Sequence, residues 1–154
     1  MQADVHYLNL ECAAAIGARR YETVSSYRAD RRNLLGEWLF GAAAFGVAGD
    51  EAAYWRESRG LAAYLAAAGI SVSDLRELRN DILPRWVAAA CEKVSWDDYL
   101  LVGFSSCFEQ NCATLAISRW IRDRHPQVPL VFGGANFDGA MGAEYHVSRC
   151  GCQA

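Results

Sequence analysis

The hydrophobic pattern is clearest between residues 94 and 137. Tyr99, Leu100, Leu101, Val102, Gly103 and Phe104 form a short apolar run between Asp97-Asp98 and Ser105-Ser106, the pattern of a strand covered on both faces. Residues 109–124 follow with Cys112, Leu115, Ala116 and Trp120 at helical spacing, and Ile117 and Ile121 widen the stripe. His125-Pro126 ends this helix, because a residue before proline is pushed out of the helical region. Pro129, Leu130, Val131 and Phe132 make a second apolar run that closes on Gly133-Gly134. Strand, helix and strand in this order predict a right-handed parallel crossover.

Upstream, residues 5–10 alternate moderately and predict a further strand. The middle of the chain reads as helical. Residues 51–68 carry Trp55, Ser58, Ala62 and Leu65 on one face, broadened by Tyr54, Leu61 and Tyr64. Ser71 and Asp74 have capping-box spacing ahead of Leu75, Leu78, Ile82 and Leu83. Pro84 is expected to kink or break that helix, which resumes over residues 86–94. Residues 41–46 are an alanine-rich turn or helix end. The fold class expected is α/β: a small parallel sheet, flanking helices, and a helical insertion over residues 28–95.

Composition narrows the partners. With 154 residues, 53% of them hydrophobic, the chain can bury one real core. A formal net charge of -3, with Lys93 the only lysine, gives no basic face for nucleic acid. The first six residues are too polar for a signal peptide, and no apolar run approaches the roughly 18 residues of a membrane span. A cytoplasmic location with no membrane partner is expected. Cys12, Cys91, Cys107 and Cys112 sit singly among apolar neighbours and read as buried thiols. Cys150 and Cys152 are one residue apart, with no second pair to complete a zinc site.

In an open parallel sheet, ligands bind outside the carboxyl ends of the strands. After the first strand, Ser105, Ser106, Cys107, Phe108, Glu109, Gln110 and Asn111 offer hydroxyls, amides and an aromatic ring. After the second, Gly133 and Gly134 let a bulky ligand approach the backbone, followed by Ala135 and Asn136. Such a rim suits a large, amide-rich molecule. The same residues also have a purely structural reading: Ser-Ser as an N-cap, Gly-Gly as a tight turn, the phenylalanines as core, Gln110 as a solvated first-turn residue. No Gly-x-Gly-x-x-Gly or Walker lysine is present, which argues against a dinucleotide or nucleoside triphosphate. The histidines fall in no catalytic motif, so no catalytic residue is expected.

The segments 102–111 (Val-Gly-Phe-Ser-Ser-Cys-Phe-Glu-Gln-Asn) and 131–142 (Val-Phe-Gly-Gly-Ala-Asn-Phe-Asp-Gly-Ala-Met-Gly) resemble the cobalamin-binding region of peptide-maturation radical S-adenosylmethionine proteins. Residues 3–11 and Gly36-Glu37-Trp38-Leu39-Phe40 are similar to the same family, so the likeness runs from residue 3 to about 145. It implies a Rossmann-like (flavodoxin-like) domain over residues 1–145 and an unstructured tail over 146–154. It further implies that Ser105, Ser106 and Gln110, with the backbone of Gly133, Gly134, Ala135 and Asn136, hold the corrin amides and nucleotide tail, and that Phe104 and Phe108 pack on the benzimidazole or corrin edge. The activity implied is radical modification of a ribosomally made peptide, most simply C-methylation, with a radical S-adenosylmethionine barrel and a precursor peptide as partners.

The chain departs from that family in several places. Such proteins normally begin with an apolar strand and helix ahead of the segment that opens this chain, so the domain is expected to be partial, with an unpaired strand edge or gap. The family's Cys-x3-Cys-x2-Cys motif is absent here, and so the iron-sulfur cluster and S-adenosylmethionine are expected only in a domain outside this chain. Asp4-Val5-His6 and Asp123-Arg124-His125 begin like an Asp-x-His-x-x-Gly cobalt-ligand motif, but Asn9 and Val128 stand at the glycine position, so no metal ligand is expected. Two other readings stay open: a degenerate, non-catalytic interaction module, and a flavodoxin-like domain with flavin phosphate at the Ser105-Ser106 loop. Anaerobic reconstitution should leave the purified chain without an iron-sulfur cluster; stoichiometric iron and sulfide would overturn this reading of the cysteines.

Overall fold

The computed structural model describes residues 3–25, 33–46, 50–58 and 60–150, with the side chains of 146–150 excepted. The strand, helix and strand of the sequence pattern are present: β1 (Val102–Ser105), α8 (Asn111–Arg124) and β2 (Leu130–Gly133). β1 and β2 are parallel, with Val102 opposite Leu130 and Ser105 opposite Gly133. The α/β reading therefore holds in its coarse form, a two-stranded parallel sheet flanked by helices among the described residues. Val102 and Phe104 are half-buried, whereas Gly103, Ser105 and Val131 are exposed, so one face of this sheet is covered and not both. An apolar run alone cannot distinguish these cases, because it records hydrophobicity and not which neighbours arrive.

Upstream of β1 the chain is helical throughout its regular elements: α1 (Leu8–Ile16), α2 (Ala18–Ser25), α3 (Leu35–Phe45), α4 (Glu51–Glu57), α5 (Leu61–Ala67), α6 (Val72–Glu77) and α7 (Leu83–Cys91). The strand expected over residues 5–10 is not formed. Ala3 to Tyr7 have no regular structure, and Leu8, Cys12 and Ile16 share the inward face of α1, a helical spacing that the short alternation masked. The single helix expected over 51–68 is two, separated at Gly60, whose φ of +83° is left-handed. The Ser71 capping box forms as expected, its hydroxyl accepting from Asp74 N at 3.1 Å. Pro84 does not break the helical run, which continues from α6 through residues 78–82 into α7. The turn before it, Leu78–Ile82, widens to a π-helix in which Leu83 N donates to Leu78 O, relieving the proline ring's clash with the preceding turn. Residues 41–46 are a helix end, where α3 stops at left-handed Gly46.

Two clusters of buried side chains hold these elements. The first joins Leu35 and Leu39 of α3 to Leu61, Leu65, Leu75, Leu78 and Leu83. The second joins Ala44 of α3 to Val87, Cys91, Trp96, Leu115, Ile117 and Ile121, and the inner side of β1 and β2 packs on it. Apart from Glu37, helix α3 is made of apolar residues and glycine, as suits a helix shared by two cores. Phe104 and Phe132 stack across the sheet at 5.2 Å, and Phe132, Phe137 and Tyr145 carry the contact on to α9 (Gly139–Cys150). That helix runs into the stretch expected as a tail; residues 151–154 and the side chains of the Cys150/Cys152 pair lie outside the described residues. No helix among the described residues is long and apolar enough to cross a membrane. Ile121→Ala, at a position with 0% exposure, should cost about 2–5 kcal/mol in chemical denaturation, while Leu100→Ala, at 87% exposure, should stay within about 0.5 kcal/mol.

Candidate functional site

At the carboxyl ends of β1 and β2 the expected site residues divide into two groups. Ser106 is fully buried, donating its N–H to Gly133 O at 2.9 Å and accepting Asn136 N at its own carbonyl at 3.3 Å. Its Oγ accepts from Asn136 Nδ2 at 3.0 Å, and the same amide donates to Cys107 O. Gly134 has φ of +89°, and a Cβ there would lie 2.8 Å from Ser106 N. Its missing side chain thus admits the Ser106 backbone, where the sequence suggested room for a ligand. Ser106, Gly133, Gly134 and Asn136 lock the β1 loop onto the β2 loop, and Ala135 lies exposed in the turn between them.

Ser105, Phe108 and Gln110 have a different setting. They line a cleft of about 720 Å³ that runs along β1, within the ordinary size of small-molecule sites. All four β1 residues form one wall, with Ala113, Thr114 and Ile117 of α8. Asp4, Val5, His6 and Tyr7 line the cleft too, with Cys12 of α1 and Tyr21 and Val24 of α2. Phe40, Trp86 and Trp96 are among its aromatic lining residues. Gln110 Oε1 accepts from Cys107 N at 2.9 Å, which closes the loop; among the described residues no partner of its amide nitrogen is found. Tyr99 Oη donates to Asp4 Oδ2 at 3.0 Å and lies 3.5 Å from His6 Nε2, holding the N-terminal segment beside β1. Sequence reading did not find this part of the lining, since nothing in residues 3–7 marks an irregular segment that folds back across more than ninety positions.

Glu37 and Glu109, to which no cofactor role is assigned, tie α3 to the loop that leads into α8. Glu109 Oε2 accepts from Gly36 N at 2.9 Å, while Glu37 accepts from Asn111 N at 3.0 Å and Cys112 N at 2.6 Å. Each carboxylate therefore caps the other's helix, α3 or α8. Gly36 is required for this approach, because a Cβ would sit 2.8 Å from Glu109 O. Burial pushes the Glu109 carboxyl above its ordinary range, the Gly36 N–H opposes this, and the Glu37 charge adds to it. The Cys112 thiol is pushed up to about 12 by burial and by Glu37, so it stays protonated. Cys12 and Cys91 are buried as expected, but Cys107 is exposed on the loop. His125, at the end of α8, is held by Asp97 at 2.9 Å and lies away from the cleft lining.

These caps bear on chemistry. The first N–H groups of α8, which a phosphate would otherwise use, are already bonded to a carboxylate. No group of three or more metal-ligating side chains occurs among the described residues. Comparison with protein-family models, with curated proteins and with solved structures finds no match to this chain.

The two carboxylates should respond oppositely to neutralisation. Because the folded state raises the Glu109 pKa, the stability it contributes is full below the ordinary carboxyl range and is lost as pH rises through the raised value. Glu109→Gln should therefore match wild type in acid and equal or exceed its Tm at pH 7, whereas Glu37→Gln should lose about 1–3 kcal/mol at that pH. Thermal melts from pH 4 to 8 check both signs.

Proposed function

We propose that this chain is the cobalamin-binding part, Rossmann-like (flavodoxin-like) in topology, of a cobalamin-dependent radical S-adenosylmethionine system that modifies a ribosomally made peptide, most simply by C-methylation. The observation that carries this reading is the cleft at β1, whose wall contains Ser105, Phe108 and Gln110, three of the residues that the family resemblance assigns to the cofactor. Their chemistry fits a large, amide-bearing ligand: an exposed serine hydroxyl, an aromatic face exposed at 44%, and a side-chain amide. Cobalamin, when bound, would supply the methyl group.

In this reading Ser105 would hydrogen-bond a corrin amide, Phe108 would exclude water from an apolar edge, and Gln110 would donate through Nε2. Ser106, Gly134 and Asn136 would act behind them, fixing the Ser105–Gln110 loop through the bonds that tie it to β2. The iron-sulfur cluster, the S-adenosylmethionine and the barrel around them would belong to protein outside this chain, which would not be catalytic alone. The flavodoxin-like alternative is disfavoured, since a flavin phosphate at α8 would have to displace the Glu37 carboxylate from Asn111 and Cys112.

Titration with hydroxocobalamin, followed by visible absorption, tests the proposal. A saturable spectral change is expected with hydroxocobalamin and none with flavin mononucleotide. Phe108→Ala should weaken binding about two- to tenfold through loss of an aromatic contact, and Met141→Ala, away from the cleft lining, should not. A flat hydroxocobalamin titration, or equal affinity in the Phe108 variant, would sink it.

A further inference from the structure

β1 has one partner strand among the described residues. Val102 N donates to Pro129 O at 2.9 Å and Ser106 N to Gly133 O at 2.9 Å. In a parallel ladder these bonds alternate along the strand, so the backbone groups of Val102 and Phe104 face β2 while those of Gly103 and Ser105 face the other way. No partner for the backbone of Gly103 or Ser105 is found among the described residues, and both are exposed in the wall of the cleft. An open strand edge beside an apolar trough is the geometry that strand addition uses.

The lining specifies the occupant further. Phe40 and Trp86, half-buried in the lining, offer apolar surface to alternate side chains of an added strand, while the intervening ones would follow the solvent-facing side of Gly103 and Ser105. Asp4 stands where β1 begins, tied to Tyr99, and Glu109 stands beyond its end; no Arg or Lys lines the cleft among the described residues. We propose that the β1 edge takes an extended peptide segment as a third strand, with alternating apolar side chains and a basic residue beside Asp4. The inference rests on β1 alone and not on the cofactor reading; the two meet at Ser105, whose backbone serves the strand and whose hydroxyl serves the cofactor.

The test is fluorescence anisotropy with a fluorescein-labelled Lys-Arg-Val-Thr-Val-Thr-Val peptide added to the full chain. Saturable binding is expected. Gly103→Pro should weaken it at least about tenfold, because proline removes the donor that faces the peptide without removing a β1–β2 bond. Gly103→Ala should bind like wild type, since a Cβ there meets nothing within 4 Å. A peptide N-methylated at alternate residues tests the same bonds from the other side and keeps the proposal open to refutation if the proline variant fails to fold. Replacing Lys-Arg by Glu-Glu should also weaken binding. Undiminished binding of the N-methylated peptide, or of the labelled peptide to folded Gly103→Pro, would overturn the proposal. So would a dimer in sedimentation that Gly103→Pro dissociates, since the occupant of the edge would then be a second copy.

Discussion

A clasp between α3 and α8 joins the helical layer to the sheet. The two helices lie side by side in the same direction: their N-termini meet at Gly36 and Glu109, and farther along Arg119 of α8 donates to Ala44 O near the end of α3. Parallel helices align their dipoles, so two positive ends come together at the start and two negative ends at the finish. Glu37 and Glu109 place carboxylates between the N-termini, and Arg119 places a cation at the α3 C-terminus. The pairing satisfies N–H groups that would otherwise lack intrahelical partners. It has an opposing term, because the two carboxylates repel and Glu109 is half-buried.

From this clasp the site follows by contact. α3 belongs to both hydrophobic clusters, so its position relates the helical layer to the sheet. α8 packs beneath β1, and the loop joining them must deliver Glu109 to Gly36, which it does with Glu109 at a left-handed φ of 60°. That requirement fixes where Phe108 and Gln110 emerge. The β2 loop meets the same turn through Asn136 and Ser106, so the two strand ends are tied together rather than spread for a ligand. What remains accessible is the side of β1 away from β2, faced by the N-terminal segment and the aromatic lining. The cofactor and strand-addition proposals both draw on that one feature.

Local chemistry made much of the fold legible in the sequence. The β1–α8–β2 order, the Ser71 cap, the end of α8 before Pro126 and the helical middle all follow from periodicity, capping and proline sterics within a few residues. Errors arose where a short pattern suited two elements, as in residues 5–10, or where a local breaker could be absorbed, as the π-turn absorbs Pro84. The candidate site was half legible. Polar residues after a parallel strand marked the loop, but which of them face a cleft and which bond to one another is not written in their types.

Most regular elements, the polar loops that follow the two strands, and the absence of cluster-spaced cysteines were legible from residue identity and spacing along the chain. That Ser106 and Asn136 serve each other, that Gly134 admits a backbone instead of a ligand, and that Glu37 occupies the start of α8 followed from how distant segments pack. The same arrangement leaves β1 with one strand neighbour among the described residues. These depend on bonds across 29 to 95 positions, as from Asn136 to Cys107 and from Tyr99 to Asp4. Such pairings are selected by the packing of whole helices, and a local pattern carries no record of them.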